Sequence, residues 1–104
     1  GDQATALQLV NELRGRAYHQ GTYAISAGEL DLDFILDERG RELFIEAQRR
    51  TDLVRFKKFT GSSYVWTWKG NTFEGRSVAD HFNIYPIPAD DIGANVNLVQ
   101  NTGY

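Results

Sequence analysis

Residues 31–50 read DLDFILDERGRELFIEAQRR, and the spacing of their apolar residues decides the fold. Leu36, Leu43, Phe44 and Ala47 recur at helical intervals as a core stripe, with Phe34 and Ile35 leading into it. A helix is therefore expected to run to about Arg50. Asp31 or Asp33 can cap its first turn, and Asp37 and Glu38 follow near the positive end of the dipole. Gly40, in the middle, costs about 1 kcal/mol against alanine, a cost that close packing at that point would explain.

Upstream, Ala6, Leu9, Val10, Leu13 and Ala17 share one face of an amphipathic helix from Ala4 to Tyr18, while Asn11, Glu12, Arg14 and Arg16 point elsewhere. Gly21 and Gly28 bracket a polar connector that holds Tyr23 and Ile25. Downstream, Leu53, Phe56 and Phe59 keep a near-helical spacing as far as the turn-rich Thr60-Gly61-Ser62-Ser63. Tyr64, Trp66 and Trp68 then alternate with Val65, Thr67 and Lys69, which predicts a short strand ended by a turn at Gly70-Asn71. Tyr85-Pro86 and Ile87-Pro88 impose extended backbone, residues 90–94 suit a turn or two of helix, and Asn95, Asn97, Gln100 and Asn101 make a polar, irregular tail.

The expected fold is thus mainly α: two amphipathic helices, then a long irregular segment. The whole reads as one segment, helical over 4–59 and irregular over 60–104. Nine of the thirteen aromatic residues fall from Phe56 onward, and side chains of that size need burial. Two helices offer too little surface, so the second half is expected to lie against a larger body outside this chain.

Composition narrows the function. Eleven basic and fourteen acidic residues give a net charge of -3, with no basic tail to bind nucleic acid. The absence of cysteine removes disulfides, thiolate metal sites and thiol nucleophiles. No apolar run approaches the roughly 20 residues of a membrane-spanning helix. Gly1-Asp2-Gln3-Ala4 has no secretion-signal pattern, so any export address is expected to lie outside these residues.

Glu38, Glu42 and Glu46 recur every fourth residue and invite an enzymatic reading. A di-metal helix bundle would want histidine three residues after a glutamate, and the position after Glu46 is Arg49. A glycosidase would want two unpaired carboxylates across a cleft, one of them desolvated. Here arginines interleave with the acids, so Glu38, Arg39, Glu42, Glu46, Arg49, Asp52 and Arg55 are read as a structural salt-bridge lattice. His19 and His81 have no partners at metal or triad spacing. No catalytic residue, metal or cofactor is assigned. The only ligand surface is the aromatic run, with Tyr64, Trp66, Trp68, Lys69 and Asn71 suited to stacking on a sugar ring, although packing anchors are the commoner role for indoles.

Three blocks carry a resemblance. Ile35 to Leu43 with Arg49, Asp52-Leu53 and Arg55 resembles the ILDERxRE…E…R…DLxR block of the SusD/RagB family, and Leu13-Arg14-Gly15-Arg16-Ala17 resembles the helix before it. Asn83 to Pro88, with Asp91-Ile92 and Asn95 to Tyr104, resembles the LYPIP…E…NPNLxQNPGY ending of that family. Ala47-Gln48 stands where Gly-His is usual, and Val96 and Thr102 stand where prolines are usual, without disturbing the register. Trp66 to Gly70 is also similar to the starch-utilisation branch.

The resemblance implies the C-terminal part of a nutrient-binding lipoprotein on the surface of a Bacteroidetes-type outer membrane. Its partners would be oligosaccharide, or peptide in the RagB branch, a TonB-dependent SusC-like transporter, and the N-terminal part of the same protein, which would carry the lipid anchor and the helical repeats. Catalysis is not expected. The alternative is a free-standing helical interaction module that docks through its aromatic half. An enzyme on Glu38, Glu42 and Glu46 ranks last.

Overall fold

A computed structural model describes all residues except 19–22, so His19 and Gly21 lie outside the described residues. The described chain is mainly helical, as expected. Its elements are α1 (Gln3–Tyr18), α2 (Leu32–Glu42), α3 (Arg49–Arg55) and α4 (Ala89–Ala94), with 3-10 turns at Lys69–Asn71 and Asp80–Asn83. None of these helices is long and apolar enough to cross a membrane. The chain divides into two compact units, Gly1–Arg49 and Arg50–Tyr104.

In the first unit, the Asp2 carboxylate caps α1 by accepting from the amides of Ala4 at 3.0 Å and Thr5 at 3.2 Å, and from the Thr5 hydroxyl. The Thr5 hydroxyl above all holds the Asp2 carboxyl below its ordinary range. The inner face of α1 departs from the expected stripe. Asn11 pairs in both directions with the backbone of Ile25, and Arg14 Nε donates to the carbonyl of Tyr23 at 2.5 Å, while Leu9 and Leu13 are exposed. The connector after α1 has backbone groups that need partners, and these polar side chains supply them.

Asp31 caps α2 by accepting from the Phe34 amide at 2.7 Å, and Leu30 and Leu36 are buried beside it. The helix stops at Glu42 and not near Arg50. Ile45 and Ala47 adopt left-handed backbone, and Phe44, expected in the core, is 75% exposed. Gly40 accounts for the fold-back. A Cβ there would meet Arg49 Nη1 at 2.8 Å, so glycine lets the Arg49 guanidinium lie flat on α2 and donate to the Leu36 carbonyl at 2.5 Å. The close packing expected at Gly40 is therefore a side chain returning from beyond the helix end.

In the second unit, α3 buries Leu53 and closes with Lys57 in the left-handed region, which turns the amides of Lys58 and Phe59 onto the Leu53 carbonyl. Beyond it the described residues contain no strand, only a single bridge between Gly61 and Val78. The extended stretch around Tyr85 is held by the polar tail. Between Pro86 and Pro88 only Ile87 retains an N–H. The Gln100 amide takes that N–H at 2.9 Å and returns its own to the Ile87 carbonyl at 2.9 Å, as a neighbouring strand would. Asn101 donates to Tyr85 O at 2.8 Å, and the Tyr104 hydroxyl to Ile84 O at 2.7 Å. Gln100→Ala is expected to cost this unit about 1–2 kcal/mol and to speed exchange of the Ile87 amide. An unchanged exchange rate would show that the amide pairing is not what holds the stretch.

Candidate functional site

The charged residues of the first unit form pairs that leave no free acid on α2 where an enzyme would need one. Glu38, buried on α2, accepts through one oxygen from Arg14 Nη1 at 2.8 Å and from Arg41 Nη2 at 2.6 Å and Nε at 3.0 Å. Glu42 pairs with Arg16, and Arg49 with Asp37 at 3.4 Å. The guanidinium of Arg14 also lies over the rings of Tyr18 at 5.3 Å and Phe34 at 5.5 Å. Both cations converge on a single oxygen, Glu38 Oε2, and tie that carboxylate to α1 and to the end of α2.

The glutamate row is broken, because α2 ends at Glu42 and Glu46 lies exposed beyond it. Of the other lattice residues, Arg39 has interactions of its own, Asp52 is buried in the second unit, and Arg55 ends α3 exposed. Arg14, Arg16 and Asp37 were not read as lattice members from sequence. No local spacing announced the first two, since Arg14 lies 24 residues before Glu38 and Arg16 lies 26 before Glu42. Among the described residues no group of acids and histidines could hold a metal ion.

The aromatic run forms no strand. Lys69 decides its course: the side chain is buried, at 2% exposure, and its Nζ donates to the carbonyls of Tyr64 at 2.6 Å, Gly61 at 2.8 Å and Thr60 at 3.5 Å. The Trp66 ring lies 4.8 Å from the same ammonium. Wrapping three carbonyls around one cation bends the chain where alternation alone predicted extension. Trp68 then takes left-handed backbone (φ 71°), and its ring meets Phe73 while that of Trp66 meets Phe59. Gly75 permits the tight return, since a Cβ there would collide with the Trp66 carbonyl. Burial pushes the Lys69 ammonium below its ordinary range.

The five ligand candidates are consequently split. Trp66 is half-buried and stacks on Phe59 with centroids 6.2 Å apart. Tyr64 is half-buried at 6.2 Å from Trp66. Trp68, 62% exposed, meets Phe73, itself exposed, in a T-shaped contact at 5.7 Å. Asn71 is exposed, and Lys69 has its three N–H groups engaged. Trp66, Lys69 and Asn71 line a groove of about 620 Å³ together with residues that sequence reasoning passed over for a site: Arg50, Phe82, Tyr85 and Tyr104. Arg50 lies 3.9 Å from the Tyr85 centroid and 4.9 Å from that of Phe59, and its Nη2 donates to the carbonyls of Phe82 at 2.9 Å and Asn83 at 3.3 Å. The adjacent arginines at 49 and 50 were the available clue: neighbours on a helix face different ways, so the two could not serve one lattice.

Comparison with known proteins gives two findings. The family model described as SusD family matches residues 1–104. The starch-binding protein SusD of Bacteroides thetaiotaomicron is 46% identical over 96 residues, which cover 91% of this chain and 16% of that relative. The chain thus spans about a sixth of the length of the curated relative it matches.

Proposed function

The chain belongs to the SusD family, and from that premise we propose that it serves in a nutrient-binding lipoprotein at the surface of a Bacteroidetes-type outer membrane. The protein captures oligosaccharide and passes it to a TonB-dependent, SusC-like transporter, without chemistry on the ligand. One observation carries this reading above the others: 46% identity, over 91% of the chain, to a protein named for starch binding. The paired state of Glu38 and Glu42 supports the absence of catalysis. That name also favours a glycan over the peptide ligand of the RagB branch.

Within this chain the glycan contact falls to Trp68 and Asn71, the exposed members of the aromatic run. An indole held open on a tight loop suits the apolar face of a sugar ring. Lys69 is withdrawn from ligand contact by its three carbonyl acceptors and serves the loop instead. Titration with malto-oligosaccharide should change the tryptophan fluorescence of the protein, and Trp68→Ala should weaken binding about tenfold, equivalent to about 1.4 kcal/mol. Equal affinity in Trp68→Ala would remove this segment from the ligand site. No binding of any neutral oligosaccharide would remove the glycan reading itself.

A further inference from the structure

The loop that carries Trp68 closes on its own backbone. The Trp68 amide donates to the Phe73 carbonyl at 3.2 Å, the Asn71 amide to the Trp68 carbonyl at 3.1 Å, and the Arg76 amide to the Lys69 carbonyl at 2.9 Å. Arg76 adds a bond from Nε to the Gly70 carbonyl at 2.8 Å. Within this frame Trp68, Gly70 and Asn71 take left-handed backbone, with φ of 71°, 65° and 62°. A bulky side chain seldom adopts that region, because its Cβ crowds the following carbonyl. Such a residue persists only where its surroundings over-determine it, and residues of this kind gather at functional sites. The bonded loop therefore fixes the direction in which the Trp68 Cβ leaves the chain. It leaves open the two torsions that aim the indole.

Phe73 supplies what the backbone leaves open. The bond between Trp68 N and Phe73 O holds the two residues side by side, and their rings meet at 82° with centroids 5.7 Å apart, the geometry of an attractive edge-to-face pair. Both rings are 62% exposed, so the core of the unit holds neither in place. A perpendicular neighbour can cover one face of an indole at most. The other face stays open to the apolar C–H side of a pyranose, and Asn71, exposed on the same loop, can bond a hydroxyl at its rim.

We infer that Phe73 is the positioning residue of the glycan contact: its ring braces the Trp68 indole in the free protein, so that a sugar meets a platform already in place. This rests on the contact proposed above for Trp68 and Asn71, and adds to it a residue that acts through Trp68. Having to order a free side chain on binding weakens affinity about threefold to tenfold, a loss the brace removes beforehand.

The test measures maltoheptaose affinity by calorimetry in the full-length protein, for Phe73→Ala, Phe73→Tyr, Trp68→Ala and the double variant. Without ligand, fluorine NMR of fluorotryptophan-labelled protein follows Trp68, assigned as the signal that Trp68→Ala lacks. Phe73→Ala should weaken binding about threefold to tenfold, and Phe73→Tyr, which keeps the ring, should restore the parental value. In the Trp68→Ala background Phe73→Ala should add nothing. The Trp68 signal should narrow in ligand-free Phe73→Ala, as the indole gains rotamer freedom in a folded protein. Parental affinity in Phe73→Ala beside a weakened Trp68→Ala overturns the inference and leaves the glycan contact standing. An equal loss from Phe73→Ala in both backgrounds overturns it in favour of a ring that holds sugar by itself. Parental affinity in Trp68→Ala removes the contact, and its positioning residue with it. An unchanged Trp68 signal in Phe73→Ala overturns the brace whether or not the protein binds maltoheptaose. Where Phe73→Ala does not fold, Phe73→Leu takes its place with the same expectations.

Discussion

Lys69→Met should destabilise the Arg50–Tyr104 unit by about 3 kcal/mol, read as a lower midpoint in urea followed by tryptophan fluorescence. Methionine keeps most of the volume, so a cavity contributes little. The charge itself is no asset, since burial already pushes the ammonium below its ordinary range. What is lost is the donor set. The carbonyls of Thr60, Gly61 and Tyr64 converge on one Nζ, and removing it leaves them facing each other with like partial charges. Trp66 also loses the cation at 4.8 Å from its ring. The fluorescence of Trp66 should shift to the red as the loop opens. A variant within about 0.5 kcal/mol of the parent, the range of an ordinary surface substitution, would mean that the loop is held by other contacts.

The second large effect is expected in the other unit. Glu38→Gln should cost about 2–4 kcal/mol, because it keeps the shape of the side chain and removes the charge that two arginines share. The side chains of Arg14 and Glu38 are 13% and 10% exposed, so water cannot replace the lost anion easily. Arg41 is half exposed and can turn outward, which keeps the cost from rising further. Arg14 cannot, since its Nε is committed to the Tyr23 carbonyl and its plane to the rings of Tyr18 and Phe34. Amide exchange along α1 and α2 should accelerate, while the second unit is unaffected. Unchanged exchange in α1 would show that the pair does not join the two helices energetically.

How far the sequence could be read depended on whether local or distant groups decided each segment. A cap at Asp31 or Asp33 and the run to Tyr18 are local choices and were legible, and of the two aspartates the structure uses Asp31. The end of α2 was not legible. Residues 43–48 contain no glycine or proline, and Ile45 is among the residues least suited to left-handed backbone. Only the reach of Arg49 back across Gly40 accounts for the break, and that contact is not written in any local window. The stripe through Leu9 and Leu13 failed for a related reason, since the connector's backbone claimed Asn11 and Arg14. The strand over Tyr64 to Lys69 was predicted from period-two alternation, but the ammonium of Lys69, a member of that same run, is buried and gathered the carbonyls, which curled it. For the groove, Trp66, Lys69 and Asn71 were singled out, while Arg50 and Tyr85 lie 35 residues apart in sequence. Their stacking is a tertiary event that composition does not announce.

The Gln100 amide that clasps Ile87 has a consequence for how this unit is made. Its partners lie 13 residues earlier in the chain, and Tyr104 reaches back 20 residues to Ile84. During synthesis, therefore, the Tyr85-Pro86-Ile87-Pro88 stretch emerges first and waits with its backbone groups bonded only to water. Deleting residues 100–104 would remove no helix and no charged pair of the described residues, yet it would leave that stretch without the surrogate strand that orders it. Residues 100–104 thus act as a latch that is thrown after the stretch it orders, and their loss is a folding lesion.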